Sequence, residues 1–148
     1  MINTILVTDD NVPDNAILKK YLFNERYDLV SAVNGAEALD LIESRNIDVI
    51  ILDMIMTVLD GYEFLKLFSR TELYKEIPII ITSGIEDTKN IEEILNTYTI
   101  FDYIIKPLDH INRIILVNKI KAATQYRKTL LELRQAQKDI ETLKRNRE

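Results

Sequence analysis

The chain has 148 residues, 47% hydrophobic and 29% charged, the make-up of one globular domain with a core of ordinary size. It has no cysteine and a single histidine, His110, which excludes disulfides and thiol catalysis and disfavours a histidine metal site or a Ser-His-Asp triad. The net charge of −5 is uneven: residues 1–120 carry 11 Lys and Arg against 20 Asp and Glu, residues 121–148 carry 8 against 4, so the acidic front has no electrostatic reason to seek nucleic acid.

In chain order, Ile2 to Thr8 reads as a first strand, short, β-branched and apolar throughout. Asp9, Asp10 and Asn11 follow, and Pro13 suits the first turn of a helix over about 13–24, capped by Asn11 or Asp10. Tyr27 to Val33 is a second strand, Asn34-Gly35 a turn, and Ala36 to Ser44 a second helix. Asp48 to Leu52 is a third strand ending on Asp53. A loop from Met54 to Asp60 leads to a third helix, Tyr62 to Arg70, with Phe64, Leu65 and Phe68 inward. Pro78 opens a fourth strand through Thr82, where a proline is tolerated, and Ser83-Gly84 follow. Ile91, Ile94, Leu95 and Tyr98 recur at helical spacing in a fourth helix, about Asp87 to Thr97. Phe101 to Ile105 is a fifth strand, ended by Lys106-Pro107.

This alternation predicts a parallel sheet covered by helices on both faces. With strand order 2-1-3-4-5 the first and third strands lie side by side at the switch point, where open α/β sheets bind ligands. From about Asp109 the pattern is helical to the end, without proline or glycine from 108 onward. About forty residues of helix run ~60 Å, more than a sheet of this size can cover. Ile111, Ile114, Ile115 and Val117 are expected to pack on the sheet. Farther on, Ala122, Tyr126, Thr129, Leu133, Ala136, Ile140 and Leu143 are spaced 4, 3, 4, 3, 4, 3, a heptad seam that predicts a coiled-coil partner, with Leu130 off the seam.

The chosen order brings Asp9, Asp10 and Asp53 into one cleft. Three negative charges there repel, so one stays protonated or a cation joins them, and an all-oxygen donor set suits Mg²⁺. The fourth strand adds the hydroxyl of Ser83 and the fifth the ammonium of Lys106. An aspartate at a strand end is often only a helix cap, but three carboxylates, a hydroxyl and a cation on one rim suit phosphoryl transfer to a carboxylate, which needs positioning and charge neutralisation above all.

Four stretches share one pattern: Leu6-Val7-Thr8-Asp9-Asp10-Asn11; Asp53-Met54-Ile55-Met56 with Asp60-Gly61; Pro78-Ile79-Ile80-Ile81-Thr82-Ser83-Gly84; and Tyr103-Ile104-Ile105-Lys106-Pro107. In this order and spacing, residues 1–120 resemble the receiver domain of bacterial two-component response regulators. The resemblance implies a flavodoxin-like (βα)5 fold with an extended C-terminal helix, and phosphorylation of Asp53 by a histidine kinase or histidine phosphotransfer protein. It implies Mg²⁺ held by Asp10, Asp53 and the Ile55 carbonyl, with Asp9 assisting, and phosphoryl contacts from Lys106 and Ser83. Ser83 and Tyr103 are the implied switch pair, the hydroxyl moving to the phosphoryl group as the aromatic turns inward, and the Lys106–Pro107 peptide is expected cis.

Thr57 stands where the family usually has proline, and Thr99-Ile100 where it usually has Gly-Ala, so the loop after Asp53 and the end of the fourth helix are expected to differ. Ile55 and Ile85, two residues past the acceptor and the hydroxyl, flank the path of attacking water in this family; being bulky and apolar, they predict slow loss of the phosphoryl group.

Residues 121–148 are expected to be a helical coiled-coil linker that dimerises the chain and leads to an effector domain outside this sequence. A phosphorylation-independent dimerisation or interaction module is the alternative. An aspartate-nucleophile phosphatase is disfavoured, because position 55 is Ile and position 11 is Asn where such an enzyme needs a second aspartate. A flavin or nucleotide module is opposed by the acidic rim and the three glycines. No independent turnover is expected. Without a signal peptide or a membrane-length apolar run, a cytoplasmic protein with no membrane and no direct nucleic-acid partner is expected.

Overall fold

The computed structural model describes residues 2–147, apart from the side chains of Thr88 and Lys89. Its strands are β1 (Thr4–Thr8), β2 (Asp28–Ala32), β3 (Val49–Asp53), β4 (Ile79–Ser83) and β5 (Asp102–Ile105); its helices are α1 (Val12–Asn24), α2 (Gly35–Ser44), α3 (Gly61–Phe68), α4 (Thr88–Thr97) and α5 (His110–Arg147). All strand pairs are parallel, in the order β2-β1-β3-β4-β5. This is the flavodoxin-like arrangement, with a C-terminal helix that outruns the sheet. No described helix is long and apolar enough to cross a membrane.

β3 and β4 are buried over their full length, which is why they read as unbroken apolar runs rather than alternating ones. Alternate residues serve two cores. Leu6, Ile50, Leu52, Ile79 and Ile81 face one way, onto Ala38 and Ile42 of α2, Phe64, Leu65 and Phe68 of α3, and Ile94 of α4. Ile5, Val7, Val49, Ile51, Ile80 and Ile104 face the other, onto Leu18 and Leu22 of α1 and Leu116, Val117, Ile120 and Ala123 of α5.

Side-chain caps fix where the helices begin. Asn11 accepts from Asp14 N, Asn34 from Glu37 N and Asp60 from Glu63 N, at 3.1, 2.9 and 3.0 Å, each satisfying an otherwise unpaired N–H of a first turn. Asn34-Gly35 is thus the start of α2 rather than a free turn. A 3-10 turn over Glu72–Lys75, absent from the sequence reading, bridges α3 and β4.

α5 departs from expectation in which face it buries. Ile111, Ile114 and Ile115 are exposed, while Leu116, Val117, Ile120 and Ala123 are buried. The sequence offers apolar residues around most of this turn, so spacing alone does not choose the inward stripe. Nor does packing stop at residue 120. Arg127 meets Asp48 at 2.7 Å, Arg134 meets Glu76 at 2.9 Å, and the Tyr126 ring lies 5.5 Å from that of Phe101. The helix is strapped along the lower edge of the sheet to about Arg134. Of the heptad seam, Leu133, Ile140 and Leu143 are exposed on a neighbouring face, while Tyr126, nearer its start, is about half-exposed beside Phe101.

Candidate functional site

The site lies on the upper rim, at the carboxyl ends of β1, β3, β4 and β5. Register sets it there: Thr8 pairs with Leu52 and Asp53 with Thr82, so Asp9 and Asp53 leave the sheet on adjacent strands. Carboxylate oxygens of Asp9, Asp10 and Asp53 lie within 4.8 Å of one another. Asp9 and Asp53 are buried and Asp10 is exposed.

Lys106 reaches this cleft from β5. Its Nζ donates to Asp9 Oδ2 at 2.8 Å and to Asp53 Oδ2 at 3.0 Å. One ammonium against three carboxylates leaves the cleft negative, and every donor in it is a hard oxygen, so the set fits a hydrated divalent cation of the magnesium type. Burial pushes the Asp53 carboxyl up to about 6; Lys106 opposes that rise and Asp9 adds to it. Burial lowers the Lys106 pKa, but the bonds and charges of Asp9 and Asp53 outweigh it and raise the ammonium.

Backbone donors hold the carboxylates in place. Asn11 N donates to Asp9 Oδ1 at 2.9 Å, and Ile55 N to Asp53 Oδ1 at 3.2 Å. Gly61 is required beneath them: a Cβ there would lie 2.6 Å from Met54 Cα and 2.8 Å from the Asp53 carbonyl oxygen. The first turn of α3 therefore rests directly on the backbone that carries Asp53.

Ser83 is fully buried, and its Oγ has no hydrogen-bond partner among the described residues. A buried hydroxyl left unpaired carries a desolvation cost of roughly 1–3 kcal/mol. Tyr103, on the edge strand, is 41% exposed and turned outward. Ile55 and Ile85 are exposed and offer only apolar side chains. The Lys106–Pro107 peptide is cis, and Val58, in the loop after Asp53, has a positive φ of 68°.

Sequence reasoning missed several positioning residues. Asn15 is buried on the same helical face as Leu18 and Leu22, and its Nδ2 donates to the Asp9 carbonyl at 3.0 Å; a polar residue on an apolar stripe was the available signal. Asn112 donates to the carbonyls of Ile105 and Pro107 at 3.2 and 2.7 Å, pinning the turn that carries Lys106. Tyr62, in the first turn of α3, donates to the buried carboxylate of Asp87 at the end of the 3-10 turn Ile85–Asp87, a pairing that spacing does not reveal.

Comparison with known proteins agrees with this fold. The model of the family described as "Response regulator receiver domain" matches residues 5–121. The CAI-1 autoinducer sensor kinase/phosphatase CqsS of Vibrio cholerae is 36% identical over 119 residues, 80% of this chain and 17% of its own length. The transcriptional regulatory protein SrrA of Staphylococcus aureus is 31% identical over 126 residues, 84% of this chain and 50% of its own. The chain thus spans from about a sixth to about half of these relatives. Among solved structures, the receiver domain of the Francisella response regulator 1452 superposes with a TM-score of 0.73 at 30% identity, covering 84% of this chain and 98% of that one. An adenylate cyclase structure from Rhodopirellula baltica covers 93% of this chain and 98% of its own with a TM-score of 0.79, a likeness of fold alone at 21% identity.

Proposed function

Because the chain belongs to the response regulator receiver domain family, we propose that it takes a phosphoryl group onto Asp53 from a phosphohistidine of a histidine kinase or phosphotransfer protein. The observation that carries this reading is the Lys106 ammonium bonded to both Asp9 and Asp53 on a carboxylate-rich rim. An Asp53 carboxylate oxygen forms the new bond to phosphorus as the phosphorus–nitrogen bond breaks, its electron pair leaving with the imidazole. Lys106 neutralises one side of the phosphoryl group, and the unpaired Ser83 Oγ donates to one of its oxygens.

Asp10, Asp53 and the Ile55 carbonyl would hold Mg²⁺, with Asp9 assisting; bound there, the ion supplies charge neutralisation for the phosphoryl oxygens. Ser83 and Tyr103 act as the switch pair, the hydroxyl gaining a partner at the phosphoryl group as the exposed ring turns inward. Ile55 and Ile85 have no side-chain atom to orient a water, so the acyl phosphate is long-lived. Ile55→Asn should leave loss of label from Asp53 unchanged or faster, and a clear further slowing would count against this role.

Residues 121–148 serve as the helical link from the receiver to an effector. The exposed seam from Ala122 to Leu143 pairs with that of a second copy, so that phosphorylation alters a dimer. The direct test is intact mass after incubation with acetyl phosphate and Mg²⁺. Gain of one phosphoryl group, lost in Asp53→Asn and without Mg²⁺, is the expected result; no gain under any condition would favour a phosphorylation-independent module.

A further inference from the structure

Asp87 is an unusual carboxylate. It is 6% exposed, belongs to no salt bridge among the described residues, and lies at the start of α4 without accepting from that helix's first-turn N–H groups. Its partners are instead the Tyr62 hydroxyl, at 2.9 and 2.8 Å to its two oxygens, and Asn90 Nδ2, at 2.8 Å. Bonds to an ionised acceptor are about twice as strong as neutral ones.

The placement of both residues gives the pair a mechanical meaning. Tyr62 directly follows Gly61, which is seated on the Asp53–Met54 backbone and donates its N–H to the Met54 carbonyl at 3.1 Å. Tyr62 is therefore fixed to the strand that ends in the acceptor. Asp87 closes the short arc from Ser83, through Gly84 and the 3-10 turn Ile85–Asp87, to α4. The arc is anchored at one end by Ser83, the last residue of β4, whose carbonyl accepts from Lys106 N at 2.7 Å while its Oγ has no partner among the described residues, and it is held at the other end by Tyr62.

We propose that Tyr62 is a positioning residue whose hydroxyl, by holding Asp87, latches the arc that follows Ser83 in its resting position and so sets the resting side of the switch. The inference rests on the receiver reading above. In the proposed switch the arc shifts toward β3 as Ser83 Oγ bonds the group on Asp53, while Tyr62 stays with Gly61, which is already seated tightly on the Asp53–Met54 backbone. The move lengthens the bond from Tyr62 to Asp87, so this bond is stronger in the resting state than in the phosphorylated one. Only such a differential interaction can bias a two-state equilibrium.

The test is a titration of the full chain with beryllium fluoride and Mg²⁺, bound fluoride being read by fluorine NMR, for wild type, Tyr62→Phe and Asp87→Asn. Tyr62→Phe keeps the ring and removes only the hydroxyl. It should bind the mimic tighter, by about fivefold, while its melting temperature falls. Asp87→Asn keeps an acceptor for Tyr62 but not the charge, and should shift affinity the same way by a smaller factor. A merely structural pair would lower the melting temperature of both variants and leave their affinities equal to wild type or weaker; that result overturns the latch while the receiver reading stands. Failure of wild type itself to bind the mimic would overturn both.

Discussion

Lys106 Nζ lies 3.0 Å from Asp53 Oδ2 although their strands are not neighbours: β4 runs between β3 and β5. The ammonium spans that strand because its turn is pinned by Asn112, and it meets Asp9 on the far side at 2.8 Å. It is the only cation bonded to either carboxylate among the described residues. Lys106→Ala should therefore cut phosphorylation by acetyl phosphate on the order of 100-fold, the usual effect of removing one preorganised charge-stabilising donor. Initial rates by intact mass would check this. A loss under threefold would mean that the lysine only balances charge in the resting state.

Asp53 gives a pH dependence with a definite sign. Folding raises its pKa from 3.8 to about 6, chiefly by burial. The folded state thus holds this proton more tightly than the unfolded chain does, and stability contributed by the protonated form is lost as pH rises from about 4 through about 6. In metal-free buffer, Asp53→Asn removes the penalty. It should be more stable than wild type by about 3 kcal/mol at pH 8 and nearly equal near pH 4. Urea melts at the two pH values measure the difference; an equal gain at both would assign it to packing instead of ionisation.

Val58 sits in the left-handed region with a φ of 68°, and its side chain is exposed. A β-branched residue there costs roughly 1–2 kcal/mol with no packing to offset it. Val58→Asn, which tolerates this conformation, should raise stability by about 1 kcal/mol in equilibrium unfolding. A loss would show that the Val58 methyls make contacts in solution that outweigh the backbone strain.

The sheet and the rim were legible in the sequence because they depend on local patterns. Buried parallel strands announce themselves as runs such as Val49-Ile50-Ile51-Leu52, and the residue after each run falls on the rim. Five strands in a parallel sheet with right-handed crossovers leave few orders, so the sequence alone gathers Asp9, Asp10, Asp53, Ser83 and Lys106 on one rim. What escaped was decided by partners distant in sequence. Ile111, Ile114 and Ile115 look as apolar as Leu116 and Val117, and it is the docking of α5 beside α1 on the sheet that buries the second set. Asn15 left a trace as a polar residue on an apolar stripe, but its partner, the Asp9 carbonyl, and the Tyr62–Asp87 pair are hydrogen bonds across elements, which no periodicity encodes.

α5 carries two stripes, and they should be separable by mutation. On one, Arg127 and Arg134 tie the helix to Asp48 and Glu76, and Asp48 also accepts from Thr4 N at 2.8 Å. Arg127 and Asp48 are both largely shielded, so Arg127→Ala strands a carboxylate and should cost about 1–3 kcal/mol of stability. The other stripe, with Leu133, Ile140 and Leu143 exposed, makes no such ties. Leu133→Asp with Ile140→Asp should leave the unfolding free energy of the monomer within about 0.5 kcal/mol of wild type. It should also abolish concentration-dependent association in sedimentation, because a charge at a seam position has no partner in a coiled coil. If the double variant destabilised the monomer as much as Arg127→Ala does, the seam would be part of the receiver's own packing. If Arg127→Ala abolished association while the double variant did not, the contact between copies would lie on the docked stripe.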